Sequence, residues 1–253
     1  MTTVVEVRGS AAARRDARWW AGLAAAGTLA FLVWRLGTGP FLDGLRAVDG
    51  RALALAAGLA GVTTVCCAWR WRTVARGLGL DLPLGTAVAA CYRSIFLNVA
   101  LPGGVLGDVH RGIAHGRDAH DMGRGLRAVA WERSAGQVVQ LGLTVAVLLV
   151  LPSPVRSVVP FAALALLAAA AGIALAMRRA APGVAASGWA RLRTAVARDL
   201  RDGLLAARAW PAVVLASALV VAGHAITFVI AARTAGVTAP LSSLLPLALL
   251  VLL

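Results

Sequence analysis

Residues 84–111 read LGTAVAACYRSIFLNVALPGGVLGDVHR, and the organisation of the whole chain turns on them. Leu84 to Leu101 is as apolar as a membrane segment but carries Arg93 and Asn98. Its Leu, Ile, Val and Phe residues each favour insertion by about 0.3–0.6 kcal/mol, whereas one central Arg opposes it by about 2.5–3.5 kcal/mol. The seven apolar residues of that kind bring the sum close to zero before Asn98 is counted. Such a segment enters a bilayer only beside other helices. Pro102, Gly103 and Gly104 then interrupt it, so residues 84–107 are expected to form a broken or re-entrant helix.

The surroundings are hydrophobic enough to supply those helices. Of 253 residues, 60% are hydrophobic and 14% charged, against about 25% charged in a soluble domain. The expected fold is therefore all-α: a polytopic transmembrane helix bundle with one broken or re-entrant helix and no soluble domain. A helix crosses roughly 30 Å of hydrocarbon with about 20 residues. Spans are expected at about 19–36, 52–69, 128–151, 155–177 and 209–232, with a truncated one at 240–253, all within a membrane domain covering 19–253. Residues 1–18 form a cytoplasmic tail, and the first span reads as a retained signal anchor because no small-x-small cleavage site follows it. Trp19, Trp20, Trp34, Trp69, Trp71 and Trp210 stand near span ends, the interfacial position in which an indole keeps its N–H wet.

Charge sets the expected orientation. The net charge is +14, but the basic residues occupy the gaps between apolar runs, which indicates a membrane surface and no nucleic acid. With the N-terminus cytoplasmic and the broken segment returning to its own side, 19 of the 25 arginines lie inside, as the positive-inside rule requires. The plasma membrane is the expected location. The use of Arg with no Lys suggests a GC-rich bacterial genome. Residues 178–208 form a cytoplasmic loop in which Trp189, Leu192, Val196, Leu200 and Leu204 recur at helical spacing. That stretch is read equally well as a helix on the anionic leaflet or as an ordinary loop helix.

The densest polar cluster in an apolar setting runs from Tyr92, Arg93 and Ser94 through Asn98 to Gly107, Asp108 and Arg111. Glycines leave backbone N–H groups free to meet an anion, Asp108 suits the cap of the next helix, and Arg93 with Arg111 can fork onto a phosphate. The alternative is structural: Arg93 pairs with Asp108 or Glu132, and the glycines only pack helices. Glu132 and Arg133, at a span end, can equally snorkel to water. His110, His115 and His120 recur every five residues, roughly 140° apart on a helix. With Gly112, Gly116 and Gly123 they are read as an irregular basic loop, not a metal site. Cys66, Cys67 and Cys91 are expected as small buried residues. His224, mid-span with Thr227 one turn on, is either a hydrogen-bonded neutral histidine or a proton-coupling group. No nucleophile–base pair and no cofactor motif is found.

The order Tyr92-Arg93-Ser94, Asn98, Leu101-Pro102-Gly103-Gly104, Gly107-Asp108, Arg111 and then Glu132-Arg133 resembles the transmembrane region of the lysylphosphatidylglycerol synthase family, also called flippase-like. The resemblance covers most of the chain. It implies a membrane bundle that handles lipids or lipid-linked molecules, without the soluble aminoacyltransferase domain of the synthases. A second glycine-rich motif, usual in a later segment of such proteins, would begin where this sequence ends. On this basis the expected function is translocation or binding of a phospholipid or lipid-linked substrate between leaflets. The expected partners are anionic phospholipid or lipid-linked headgroups, with a homo-oligomer or a separate enzyme as further partners. Tyr92, Arg93, Ser94, Asn98, Pro102, Gly103, Gly104, Gly107, Asp108, Arg111, Glu132 and Arg133 would bind the substrate, with no catalytic residue. The alternatives are a membrane enzyme or accessory subunit that modifies a lipid or polyprenyl-phosphate headgroup through Asp108 or Glu132, and an assembly scaffold.

Overall fold

A computed structural model describes residues 49–101, 104–151, 194–204 and 209–253, together with residue 206 and isolated positions between 26 and 46 and between 160 and 175. The fold is all-α, with no strand among the described residues. Helix α1 (Gly50–Gly77) starts where the Asp49 carboxylate accepts the Ala52 N–H at 2.6 Å, capping an otherwise orphan donor. Helix α2 (Leu84–Ala100) follows Pro83 and stops two residues before Pro102. Helix α3 (Leu106–Asp118) leads within four residues to α4 (Met122–Val150), which Asp121 caps by accepting the Arg124 N–H at 2.8 Å. A π-helical turn at Asp199–Leu204 precedes α5 (Trp210–Thr234), and α6 (Leu241–Val251) follows.

Among the described residues three helices, α1, α4 and α5, are long and apolar enough to cross a membrane, with mean hydropathy of 1.8, 1.4 and 2.4 in their most apolar windows. The expected spans 52–69, 128–151 and 209–232 fall largely on these helices, although α1 runs on through Arg70, Arg72 and Arg76, and α4 starts at Met122. The tail 1–18, more than half of 19–36, most of 155–177, and loop residues 178–193 lie outside the described residues, as do Pro102 and Gly103. In the part of the loop that is described, Leu200 is buried and Leu204 packs against the core, so that stretch faces protein.

The end of α1 at Gly77–Gly79 and the start of α4 at Arg124 and Arg127 line one cleft. The α2–α3 pair that connects them therefore leaves from and returns to the same end of the bundle. That is the broken, re-entrant arrangement, with Gly104 in the left-handed region (φ +64°) at the break.

The segment expected as an irregular loop around His110, His115 and His120 is helical as far as Asp118. Its glycines serve a different purpose. Gly112 and Gly116, one turn apart on α3, lie against Gly125 of α4. A Cβ on Gly125 would stand 2.5 Å from the Gly112 carbonyl oxygen and 2.6 Å from the Gly116 Cα. Small residues four apart on one face let backbones approach closely, which in lipid is a principal source of helix association.

The tightest core surrounds the arginine-rich end, where Trp71, Val74, Leu82, Ala128 and Val213 are buried together. Toward the opposite end, Leu53, Leu55 and Val150 are exposed, as suits side chains facing lipid. Trp71 departs from the interfacial expectation: it is buried, and its Nε1–H finds no partner among the described residues. Gly125→Ala should destabilise the fold by about 1–3 kcal/mol, the usual penalty for overpacking. Gly142→Ala, where nothing stands within 4 Å, should leave the thermal unfolding midpoint in detergent unchanged.

Candidate functional site

Glu132 lies on α4, ten residues into the helix and 1% exposed. A carboxylate removed from water that far needs charged partners. From α1, Arg70 donates through Nε to Glu132 Oε1 at 2.8 Å and adds Nη2 to the same oxygen. From α3, Arg111 donates through Nη2 to Oε2 at 2.7 Å. Arg70 also donates Nη1 to Ser217 Oγ at 3.0 Å, which ties in α5. The space for its guanidinium is provided by Gly136, one turn beyond Glu132: a Cβ there would stand 2.7 Å from Arg70 Nη1.

A second carboxylate extends the network to α2. Asp108 Oδ1 accepts from Ser94 Oγ at 3.0 Å, Arg111 Nε at 3.0 Å and Arg133 Nη2 at 2.8 Å, while Oδ2 accepts from Asn98 Nδ2 at 3.3 Å. Asn98 Oδ1 in turn accepts the Gly107 N–H at 2.7 Å. A side chain on Gly107 would collide with the Ser94 carbonyl. Two expectations are thereby corrected. Asp108 does not cap α3, whose N-cap is Val105 without a side-chain bond, because its oxygens are taken by the arginines and by α2. The Gly107 N–H is likewise not free for an anion, since Asn98 occupies it.

Of the residues read from sequence, Ser94, Asn98, Gly107, Asp108, Arg111, Glu132 and Arg133 form this one network. Tyr92 and Arg93 lie on the exposed side of α2, and Arg93 makes no ion pair among the described residues. Gly104 is exposed at the break, and Pro102 and Gly103 lie outside the described residues. Arg70 and Ser217 belong to the network and were not singled out. Arg70 sits where a span-end arginine is expected for topology alone, and the small Gly136 one turn after a buried acid was its single trace.

Around the network lies a cleft of about 240 Å³ to which five helices contribute. Thr63, Thr64 and Cys67 come from α1, Cys91, Ser94 and Ile95 from α2, Arg111 from α3, Glu132 and Arg133 from α4, and His224 from α5. Arg133 is half-exposed. Gly223 lets α5 close on Thr63, where a Cβ would collide with its methyl group. Among the described residues no group of His, Cys, Asp and Glu is placed to hold a metal.

Residues 18–253 match the family model described as the lysylphosphatidylglycerol synthase TM region. The chain belongs to that family. No curated protein and no solved structure matches it. Roles for the clustered residues therefore rest on their own geometry.

One more layer supports Arg111. Its guanidinium carbon stands 4.7 Å from the Trp71 ring, and His115 meets the same ring edge-on at 5.6 Å. Burial pushes the His115 imidazole below its ordinary pKa, with Asp118 and Asp81 opposing weakly. The fold therefore favours neutral His115. A depressed folded-state pKa makes this contribution complete above the unfolded value near 6.5 and lost as pH falls through the folded one. The unfolding midpoint of the wild type should fall from pH 7.5 to 5, and His115→Gln should flatten that slope.

Glu132→Gln removes the charge that two buried arginines share. It should destabilise the fold by about 3–5 kcal/mol, the penalty for breaking a buried pair. Arg133→Gln, at a half-exposed pair, should cost less than about 1 kcal/mol by the same thermal measurement.

Proposed function

We propose that the protein is a multi-pass plasma-membrane protein with a cytoplasmic N-terminus that binds an anionic phospholipid or lipid-linked headgroup in the α1–α5 cleft and passes it between leaflets. Family membership and three membrane-length helices support the setting. The observation that carries the substrate class is the charge of the network: Arg70, Arg111 and Arg133 against Asp108 and Glu132 leave one net positive charge beside the cleft.

Arg133 is the group available to a ligand. Glu132 is enclosed by its two arginines, whereas Asp108 Oδ1 already accepts from Ser94 and Arg111 and keeps both if Arg133 turns away. A phosphate entering the cleft takes the Arg133 guanidinium in exchange for Asp108, so one charge-assisted bond replaces another. Ser94 and Thr64 also line the cleft. About 240 Å³ is below the roughly 300–1,000 Å³ of pockets that enclose a whole drug-sized ligand. It suits a headgroup whose acyl chains stay outside along apolar residues such as Ile95. Headgroup chemistry with Asp108 or Glu132 as base gains no support from the geometry, because both carboxylates are held by arginines.

The test is reconstitution of wild type and Arg133→Gln in liposomes, matched for folded amount, with leaflet exposure of a fluorescent phosphatidylglycerol followed by dithionite quenching. Wild type should accelerate exchange and Arg133→Gln should slow it about tenfold, roughly 1.4 kcal/mol. Equal rates in the two proteins would sink the assignment of Arg133 to the substrate.

A further inference from the structure

A second cleft, of about 290 Å³, lies at the end of the bundle where α1 finishes and α4 begins, apart from the buried network. Gly79 forms one wall, Arg124 and Arg127 of α4 another, and Arg198 with Asp199 a third. Its charges are arranged in a particular way. Arg127 uses Nε on Asp199 Oδ2 at 2.6 Å, and Trp131 Nε1 donates to the same oxygen at 3.2 Å. Arg124 uses Nε on Asp121 at 3.2 Å. Neither guanidinium spends its terminal amino groups on a hydrogen bond among the described residues, and Arg198 is exposed with no hydrogen bond or ion pair among them.

Three guanidinium groups against two carboxylates leave a positive cleft whose unused donors are of the fork type that matches phosphate oxygens. At the end of α1 the carbonyls of Val74, Ala75 and Arg76 accept from Leu78, Gly79 and Leu80. The backbone at Gly79 has φ +78° and no side chain, and the Arg124 guanidinium lies alongside it: a Cβ there would stand 3.8 Å from Arg124 Nη1. The cleft lies at the end of α1 and the start of α4, two of the helices long enough to cross a membrane.

We infer that this cleft is a second anion site, which binds a phosphate group through Arg124, Arg127 and Arg198. The shared chemistry has two sources, a lipid headgroup from the adjoining leaflet or free phosphate. The inference does not depend on the translocation reading, because none of these arginines touches the buried network.

The full chain in detergent, titrated calorimetrically with inorganic phosphate and with dihexanoylphosphatidic acid, tests it. Wild type should bind an equivalent of phosphatidic acid that Arg133→Gln retains and the double variant R124Q/R198Q loses, or binds at least fivefold more weakly. Binding of phosphatidic acid alone identifies a lipid headgroup, and equal binding of inorganic phosphate with the same loss identifies free phosphate. Identical titrations of wild type and R124Q/R198Q, or no binding of either probe, would overturn the site. Arg198 is exposed and Arg124 partly so; should the double variant fail to fold, Arg198→Gln alone is expected to weaken binding about threefold.

Discussion

The carboxylate of Glu132, enclosed between Arg70 and Arg111, is the constraint on which the rest of the arrangement depends. Each arginine arrives from a different helix, and Arg70 engages Ser217 of a third. A buried ion pair adds little net stability, because desolvation offsets most of the attraction, yet an incomplete pair is severely penalised. Such a pair therefore acts on geometry: α1, α3, α4 and α5 have one relative placement in which no charge is stranded. Asp108 extends the same requirement to α2 through Ser94 and Asn98.

Glycine makes that placement sterically attainable. Charges this close need backbones this close, and in lipid no hydrophobic force between helices compensates for a gap. Gly136 opens the volume that Arg70 fills, Gly107 admits the α2 carbonyl of Ser94, and the Gly112–Gly116–Gly125 contact fixes α3 on α4. The two devices are interdependent. Without the glycines the guanidinium groups would not reach, and without the ion network the close crossings would not be aligned in one register.

Much of this was legible in the sequence, for energetic reasons. Asn98, Asp108, Arg111 and Glu132 stand out because polar groups in apolar helices must find partners, and the partners lie within the same motif. Arg93 stands out for the same reason, yet it occupies the exposed side of α2, where no ion pair meets it among the described residues. Insertion cost registers that a charge is present without registering which way the helix turns. Arg70 is the converse case. At a span end an arginine is indistinguishable from a topology signal until the fold shows that α1 continues past it and that Gly136 makes room for it. The His110–His120 segment reads as a loop in sequence because glycines at four-residue spacing can signal either a loop or a close helix crossing. Only the contact with Gly125 decides between them.

The distribution of charge connects these observations to function. The chain as a whole carries +14, but within the buried network three arginines face two carboxylates, so nearly all charge at that depth is compensated internally. The residual single positive charge lies on the half-exposed Arg133 at the mouth of a cleft shared by five helices. A fully neutralised network would hold the bundle together and offer nothing to an anion, whereas a strongly cationic one would be too costly to bury. A network one charge from neutrality meets both limits. An anion can complete it by taking the place of one carboxylate at one arginine, without unpairing the core that positions the helices.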